Sequence, residues 1–141
     1  MQVFIIGTPL ETAISLDSKR LHKQILEAKQ IIKTVSGQSE AWKNHPCILQ
    51  YRDHLLWLNH YCNCLENYRD GDISEARLFD IWAEELKPSF HTLEYFNQMK
   101  RRLYTKNPDF YATWSDLGKS DENWYFVDGV MRCYILGKRI R

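Results

Sequence analysis

Apolar residues recur along the first third of the chain with the spacing of an amphipathic helix. Steps of four and three residues place side chains on one face of a helix. Asp17 or Ser18 would cap the start of this helix, and the glycine-containing segment 36–38 would end it. The predicted buried stripe consists of Leu21, Ile25, Ala28, Ile32 and Val35.

Three further helices are predicted in the remainder of the chain. An apolar stripe with Pro46 in its first turn predicts one continuous helix over 46–69, which the Asp-Gly-Asp sequence at 70–72 would end. Residues 74–86 and 89–106 predict two more helices, separated by a Lys-Pro boundary.

The two ends of the chain have different patterns. Residues 2–6 are predicted to form an extended apolar arm, and residues 109–114 a single turn packed by its aromatic side chains. The apolar run 130–136 could form a short strand or a helix. We therefore expect an all-α, mainly helical fold: a compact bundle of about four helices with an extended N-terminal arm and a short C-terminal extension.

Composition agrees with one folded domain covering residues 1–141. Hydrophobic residues make up 44% and charged residues 26% of the chain, so a sizeable core can form. The longest apolar run, residues 3–6, is too short to cross a bilayer, and we expect a cytoplasmic protein that acts without a membrane. The four cysteines are then expected to be reduced thiols.

The formal net charge of +1 provides no overall attraction to a polyanion, so nucleic acid would have to bind to local clusters of Lys and Arg. The first cluster lies on the first long helix, where Arg20 and Lys23 share a side with Glu27. Such cations could hold phosphates while the carboxylate acts as an acid or base. The alternative is an exposed ion pair between Lys23 and Glu27 without any catalytic role.

Two other segments combine cations with aromatic side chains. The first, residues 42–46, lies at a predicted helix start, a position suited to phosphates. The pattern favours the alternative of a buried tryptophan with Asn44 or His45 capping the helix. The second, residues 100–111, could join phosphate contacts to base stacking, or it could be a solvated helix end.

Histidine and cysteine spacing argues against a metal centre. His60 and Cys64 share a helix face, but Cys62 and Cys64 point to different sides, and a second pair of ligands with defined spacing is missing from the sequence. We therefore expect no metal and no cofactor.

Three motifs, in this order and spacing, resemble a known family. They are L-D-S-K-R-L-H-K-Q-I-L-E at 16–27, N-H-P at 44–46 and L-Y-T-K-N-P-D-F-Y at 103–111. Together they resemble the endonuclease V type of pyrimidine-dimer DNA glycosylase, chiefly its bacterial and phage relatives that begin with Met-Gln. The resemblance covers roughly residues 1–111 and leaves residues 112–141 as an unassigned extension.

The resemblance implies an all-helical repair enzyme that removes a damaged base from double-stranded DNA and then cuts the strand. In that family the N-terminal α-amine attacks the sugar C1′ to form a Schiff base, and a glutamate in the first long helix assists base loss and β-elimination. Glu27 matches that glutamate. Because Gln2 is large and should leave Met1 in place, the amine here would belong to Met1.

Three positions, in two helices, differ from the family pattern. Leu26 stands where the phage enzyme has an arginine beside its glutamate, so Arg20 or Lys23 would have to supply that phosphate contact. Phe96 and Met99 replace histidines of relatives, so the substrate could differ as well.

The predicted function is therefore that of a DNA repair glycosylase with AP-lyase activity that acts on damaged duplex DNA. We expect it to act as a monomer in a bacterial or phage-infected cell. Two alternatives remain: a non-catalytic DNA- or protein-binding module on the same fold, and a glycosylase for a modified phage base. The predicted catalytic residues are Met1 and Glu27. The predicted DNA contacts are Arg20, Lys23, Lys43, Asn44, His45, Lys100, Arg101, Arg102 and Lys106, with possible base stacking by Trp42 and Tyr111.

Overall fold

Helices form most of the structure, as predicted. The computed structural model describes residues 1–135 and 137–141. Its α-helices are α1 (Pro9–Ser15), α2 (Ser18–Val35), α3 (Pro46–Tyr51), α4 (Leu55–Arg69), α5 (Ile73–Glu85) and α6 (Leu93–Lys106). A 3-10 helix, Ala112–Leu117, and three strands follow: β1 (Asn123–Val127), β2 (Val130–Ile135) and β3 (Lys138–Arg139).

Helix α2 has the predicted bounds, but its buried face is shifted. The Asp17 carboxylate accepts a hydrogen bond from the Arg20 backbone N–H at 3.3 Å and caps the helix. The buried positions include Gln24 and Ile31, whereas the predicted stripe members Ile32 and Val35 are only partly buried. The buried face of this helix therefore includes a polar residue, Gln24, which the predicted apolar stripe did not contain.

The prediction of one continuous helix over 46–69 is wrong, because the helix is interrupted between Tyr51 and Leu55 and forms two helices, α3 and α4. The His54 N–H donates to the Tyr51 carbonyl at 2.9 Å, a bond to the third rather than the fourth preceding residue. The break allows the ring of Tyr51 to stack on Trp57 at a centroid distance of 5.4 Å. Aromatic packing thus accompanies the loss of the continuous helix.

Two helix starts also differ from the prediction. Helix α6 begins at Leu93 rather than at residue 89, since the Thr92 hydroxyl accepts from the Tyr95 N–H at 3.3 Å and caps it there. Helix α1 was not predicted, although Thr8 and Glu11 form a capping box whose Thr-x-x-Glu signature is visible in the sequence.

The N-terminal arm is extended, as predicted, and runs through the interior. Val3, Phe4 and Ile5 are at most 2% exposed and belong to the hydrophobic core, which also contains residues of α2, α4 and β1. An extended segment without strand partners needs other groups to bond its backbone. Side chains of α2 and α4 meet that need at Phe4, because Gln24 accepts a hydrogen bond from its N–H and Tyr61 donates one to its carbonyl.

The C-terminal extension forms an antiparallel sheet in the order β1-β2-β3. Of the two possibilities for residues 130–136, Val130–Ile135 is a strand, and Leu136 lies outside the described residues. Asp128 and Gly129 have positive φ angles of 54° and 78° and form the two-residue turn between β1 and β2. The Gln50 side chain accepts from the Phe126 N–H at 2.7 Å, which joins the sheet to α3.

Within the described residues, no helix combines the length and the hydropathy that crossing a membrane would require. The four cysteines are buried free thiols.

Trp57 of α4 lies in the middle of an aromatic stack, and we expect the stability of the protein to depend strongly on it. This side chain is 1% exposed and stacks on Tyr51 and Tyr61, so Trp57→Ala should lower the free energy of unfolding by about 3–5 kcal/mol. Trp42→Ala is the matched control, because Trp42 is 61% exposed and its loss should change stability by less than about 0.5 kcal/mol. Denaturant unfolding measures both, and equal losses would contradict the packing described.

Buried His91 predicts a pH dependence of stability. Burial lowers the pKa of His91 from 6.5 to about 3, and its Nε2 lies 2.9 Å from the Tyr51 hydroxyl. Between these two pH values the unfolded chain binds a proton that the folded protein does not. The contribution of His91 is therefore fully present above about pH 6.5 and falls as the pH drops toward 3.

His91→Gln should flatten the stability profile between pH 6.5 and 4.5, where the slope from this residue reaches at most about 1.4 kcal/mol per pH unit. His22→Gln, at an exposed position of α2, is the control and should leave the slope unchanged. Urea unfolding at several pH values tests this, and an unchanged slope in the His91 variant would refute it.

Candidate active site

The amino end of the chain lies against α2, on the side that carries Glu27. The Gln24 side-chain nitrogen donates to the Gln2 carbonyl oxygen at 2.9 Å and to the Glu27 carboxylate at 3.1 Å. One amide group therefore contacts both the start of the arm and the predicted acid. Glu27 itself is partly exposed, so its carboxylate is open to solvent rather than sealed in the core.

Strand β1 holds the first residue from the other side. The Tyr125 hydroxyl donates to the Met1 carbonyl oxygen at 2.8 Å. Burial and, after it, the positive N-terminal amine lower the pKa of His45, which shows that this amine is close to the imidazole. Met1 is thus fixed between α2, the start of α3 and the sheet.

A cavity of about 200 Å³ opens beside Met1. His45 borders it from the start of α3, and Asn123, Tyr125 and Tyr134 border it from the C-terminal sheet. The rings of His45 and Tyr125 meet edge to face at 5.7 Å. The cavity offers an amide, an imidazole and aromatic edges next to the N-terminal amine, a combination suited to a planar polar ligand.

A cysteine lies under the same end of the chain. Burial raises the pKa of Cys47 to about 12, and the N-terminal amine opposes that rise. A thiol with so high a pKa stays protonated at neutral pH and is a poor nucleophile. The amine is therefore the stronger nucleophile of the two groups at this position.

Four cations gather beside Glu27. Desolvation and, after it, the charges of Arg102, Arg20 and Lys23 lower the pKa of Lys106, whereas Glu27 acts in the opposite direction. A second cavity, of about 180 Å³, is bordered by Arg20, Lys23 and Lys106. The structure therefore brings together cations from α2 and α6 that the sequence placed in two separate clusters.

The neighbouring cations of α6 are engaged with the protein. Lys100 lies over the Trp114 ring at 5.8 Å, and the Arg101 Nε donates to the Leu117 carbonyl at 3.0 Å. Arg102 donates to the Ser120 carbonyl at 3.2 Å and is partly buried, while its Nε has no hydrogen-bond partner among the described residues. The hydrogen bonds of Arg101 and Arg102 hold the segment after α6 against the helix.

In the segment 42–46, the first three residues are exposed to solvent, whereas His45 borders the cavity beside Met1. Trp42 and Asn44 are exposed, and Lys43 pairs with Glu40 at 2.9 Å. The His45 Nδ1 accepts from the Cys47 N–H at 3.0 Å and caps α3. The capping alternative is therefore correct for His45, whereas the alternative of a buried tryptophan is wrong for Trp42.

Tyr111 has a packing position. It is 2% exposed, its ring stacks on Trp114 at 5.3 Å, and its hydroxyl bonds to the Asp17 carboxylate and accepts from the Asp17 N–H at 3.0 Å. Burial raises the pKa of this hydroxyl. Trp114 covers one face of the Tyr111 ring and Asp17 bonds its hydroxyl, so Tyr111 joins the segment after α6 to the start of α2. This burial contradicts the prediction that Tyr111 stacks on a base.

Groups of three or more potential metal ligands are not found among the described residues. Cys62 instead contacts the Glu66 carboxylate, with its sulfur at 3.7 Å.

Sequence reasoning missed Gln24 and three residues of the C-terminal extension: Asn123, Tyr125 and Tyr134. Gln24 lies three residues from Leu21 and four from Ala28, so the helical spacing itself places it on the buried face. Asn123 and Tyr125 belong to the extension that no motif covered, and the sequence offers no signal that they approach Met1.

Comparison with known proteins agrees with the motifs at the N-terminus. The family model described as pyrimidine dimer DNA glycosylase matches residues 1–67. No curated protein and no solved structure matches the chain. The matched segment contains the arm, α2 with Glu27, and the start of α3. The match supports the suspected relationship over residues 1–67, which resemble the pyrimidine dimer DNA glycosylase family.

Proposed function

We propose that this protein is a DNA glycosylase with AP-lyase activity that acts on pyrimidine dimers or related lesions in double-stranded DNA. The observation that carries the proposal is the Gln24 side chain, which bonds both the Gln2 carbonyl and the Glu27 carboxylate. It brings the amino end of the chain beside an accessible acid. The family match over residues 1–67 supports a DNA substrate.

In the proposed reaction the unprotonated Met1 amine attacks the sugar C1′. The bond from C1′ to the base breaks, and the C1′–O4′ bond of the sugar ring opens. The two protons of the amine pass to the base and to O4′, which leaves an imine between the amine nitrogen and C1′. As a class, α-amines are less basic than lysine side chains, which favours them as nucleophiles. The cavity beside Met1 would receive the nucleotide.

Glu27 is proposed to act as the acid and base of both stages. It would stabilise the positive charge that develops on the sugar as the base leaves. It would then remove a proton from C2′, after which the bond from C3′ to its phosphate oxygen breaks and the strand is cut. The partly exposed position of Glu27 supports this role, since the carboxylate must reach the sugar.

The cations next to Glu27 are proposed to hold the DNA backbone. Arg20, Lys23 and Lys106 border one cavity, and the charge of Arg102 acts on Lys106. Backbone phosphates fix the orientation of a bound duplex without reading its sequence. Lys43, Asn44 and His45 would extend this surface, and exposed Trp42 is the aromatic available to stack on a distorted base step. Lys100 and Arg101, which are engaged with the protein, would contribute at its edge.

We further propose that the chain acts as one domain and as a monomer, and that its reaction needs neither metal nor cofactor. The amine and the carboxylate together account for every proton and bond of the scheme above. The two rival functions, a binding module without catalysis and a glycosylase for a modified base, are separated from it by the experiments that follow.

Borohydride trapping tests the amine directly. Incubation of the protein with an abasic-site duplex and borohydride should give a covalent adduct, because reduction of the imine makes the bond permanent. Acetylation of the N-terminus should abolish the adduct. Absence of the adduct, together with intact irradiated plasmid, would leave only DNA binding, whereas cleavage of hypermodified but not irradiated DNA would identify a modified base as the substrate.

Glu27→Gln should lower the rate of strand cutting at an abasic site by at least 100-fold while leaving the affinity for the same duplex equal or higher. The reason is that Glu27 is the group proposed to remove the C2′ proton. Glu85→Gln, an exposed carboxylate at the end of α5, is the matched control and should keep full activity. A fully active Glu27 variant would refute the assignment.

Salt dependence tests the cationic surface. Lys23→Gln should weaken binding to every duplex alike and should reduce the slope of log K against log salt by about 1. Lys33→Gln, an exposed position on the last turn of the same helix, is the control. The proposed surface is wrong when both variants change the slope equally or neither changes it.

A further inference from the structure

A buried glutamine, Gln24, lies at the centre of the proposed site and bonds to each part of it. Its side chain is 1% exposed, yet it contacts the arm, α4 and Glu27. A buried amide of this kind is costly unless its donors and acceptor are all bonded. The bonds that Gln24 makes therefore indicate what the position is for.

The oxygen of the Gln24 amide accepts a hydrogen bond from the Phe4 backbone N–H. The Tyr61 hydroxyl lies 2.9 Å from the same oxygen, but its single proton also faces the Phe4 carbonyl. A backbone N–H can only donate, so the group facing it must be the oxygen and not the nitrogen. The orientation of the amide is fixed by this contact, and no flipped alternative satisfies Phe4.

The nitrogen of the same amide then has two protons to donate, and both are used. One bonds to the Gln2 carbonyl at 2.9 Å and the other to the Glu27 carboxylate at 3.1 Å. Both donor protons of Gln24 are thereby bonded. The donor to Glu27 fixes the place of its carboxylate relative to the start of the arm.

We propose that Gln24 is the positioning residue of the site, holding the Gln2 carbonyl and the Glu27 carboxylate on the two protons of one side-chain nitrogen. This inference rests on the proposed function and deepens it. It makes the placement of the nucleophile and of the acid depend on one buried side chain.

The variant that tests the inference is Gln24→Glu. It has nearly the same shape and keeps an oxygen for Phe4 and Tyr61, but it replaces the donor to Glu27 by a second carboxylate oxygen. Two carboxylates at this distance cannot both ionise easily. The acidic limb of the pH profile for cutting an abasic-site duplex should therefore move upward by about one pH unit or more, and adduct formation at neutral pH should fall.

Tyr61→Phe is the matched control. It removes the hydroxyl that bonds to Gln24 and to the Phe4 carbonyl, so it loosens the arm, but it leaves the bond from Gln24 to Glu27 in place. Its stability should fall while its pH profile stays that of the unmodified protein. A purely structural role of Gln24 would give the opposite result, with similar losses of stability and no shift of the profile in either variant.

A measurement on the unmodified protein decides the matter even where the Gln24 variant does not fold. In a pH titration followed by NMR, the side-chain amide resonances of Gln24 should move together with the carboxyl resonance of Glu27. Independent behaviour of the two groups would overturn the inference.

The outcomes also separate this inference from the proposed function. If the unmodified protein forms no adduct with abasic DNA, the proposed function is refuted. The proposal that Gln24 positions catalytic groups is then refuted as well. An unmodified protein that forms the adduct, with an unshifted profile in folded Gln24→Glu, refutes the role of Gln24 alone.

Discussion

The backbone of the N-terminal arm must be hydrogen-bonded inside the core, and the rest of the site depends on how this is done. Residues 3–5 are almost fully buried and form no strand. Since a buried backbone group without a partner costs several times the net gain of an ordinary hydrogen bond, each must find a side chain. Gln24 and Tyr61 bond the backbone of Phe4, and the same Gln24 reaches Gln2 and Glu27. Solving a packing problem therefore also places the amino end beside an acid.

The C-terminal sheet completes the site that the arm begins. Tyr125 bonds the Met1 carbonyl, and Asn123 and Tyr134 form one side of the cavity. The family match ends at residue 67, so this side of the site comes from a part of the chain without a matched relative. The amine and the acid lie in the matched part, whereas much of the surface that would contact the substrate does not. Substrate choice is the property most open to variation in such an arrangement.

Periodicity predicted those elements whose stability comes from one amphipathic face. Helix α2 and helix α5 have nearly the predicted bounds, because caps and apolar spacing agree there. The break after Tyr51 was not predictable in the same way, since it reflects the stacking of Tyr51 on Trp57, a contact made in space. For the site, motif resemblance singled out Met1 and Glu27. It gave no indication of Tyr125, whose approach to Met1 spans almost the whole chain.

The amine at the start of the chain is the group proposed to bond to the sugar. Digestion of the borohydride-reduced adduct, followed by mass spectrometry of its peptides, identifies the atom to which the sugar is bonded. The sugar remnant should be attached to the α-amine of the N-terminal peptide. Attachment to a lysine side chain, such as that of Lys23 or Lys106, would contradict it.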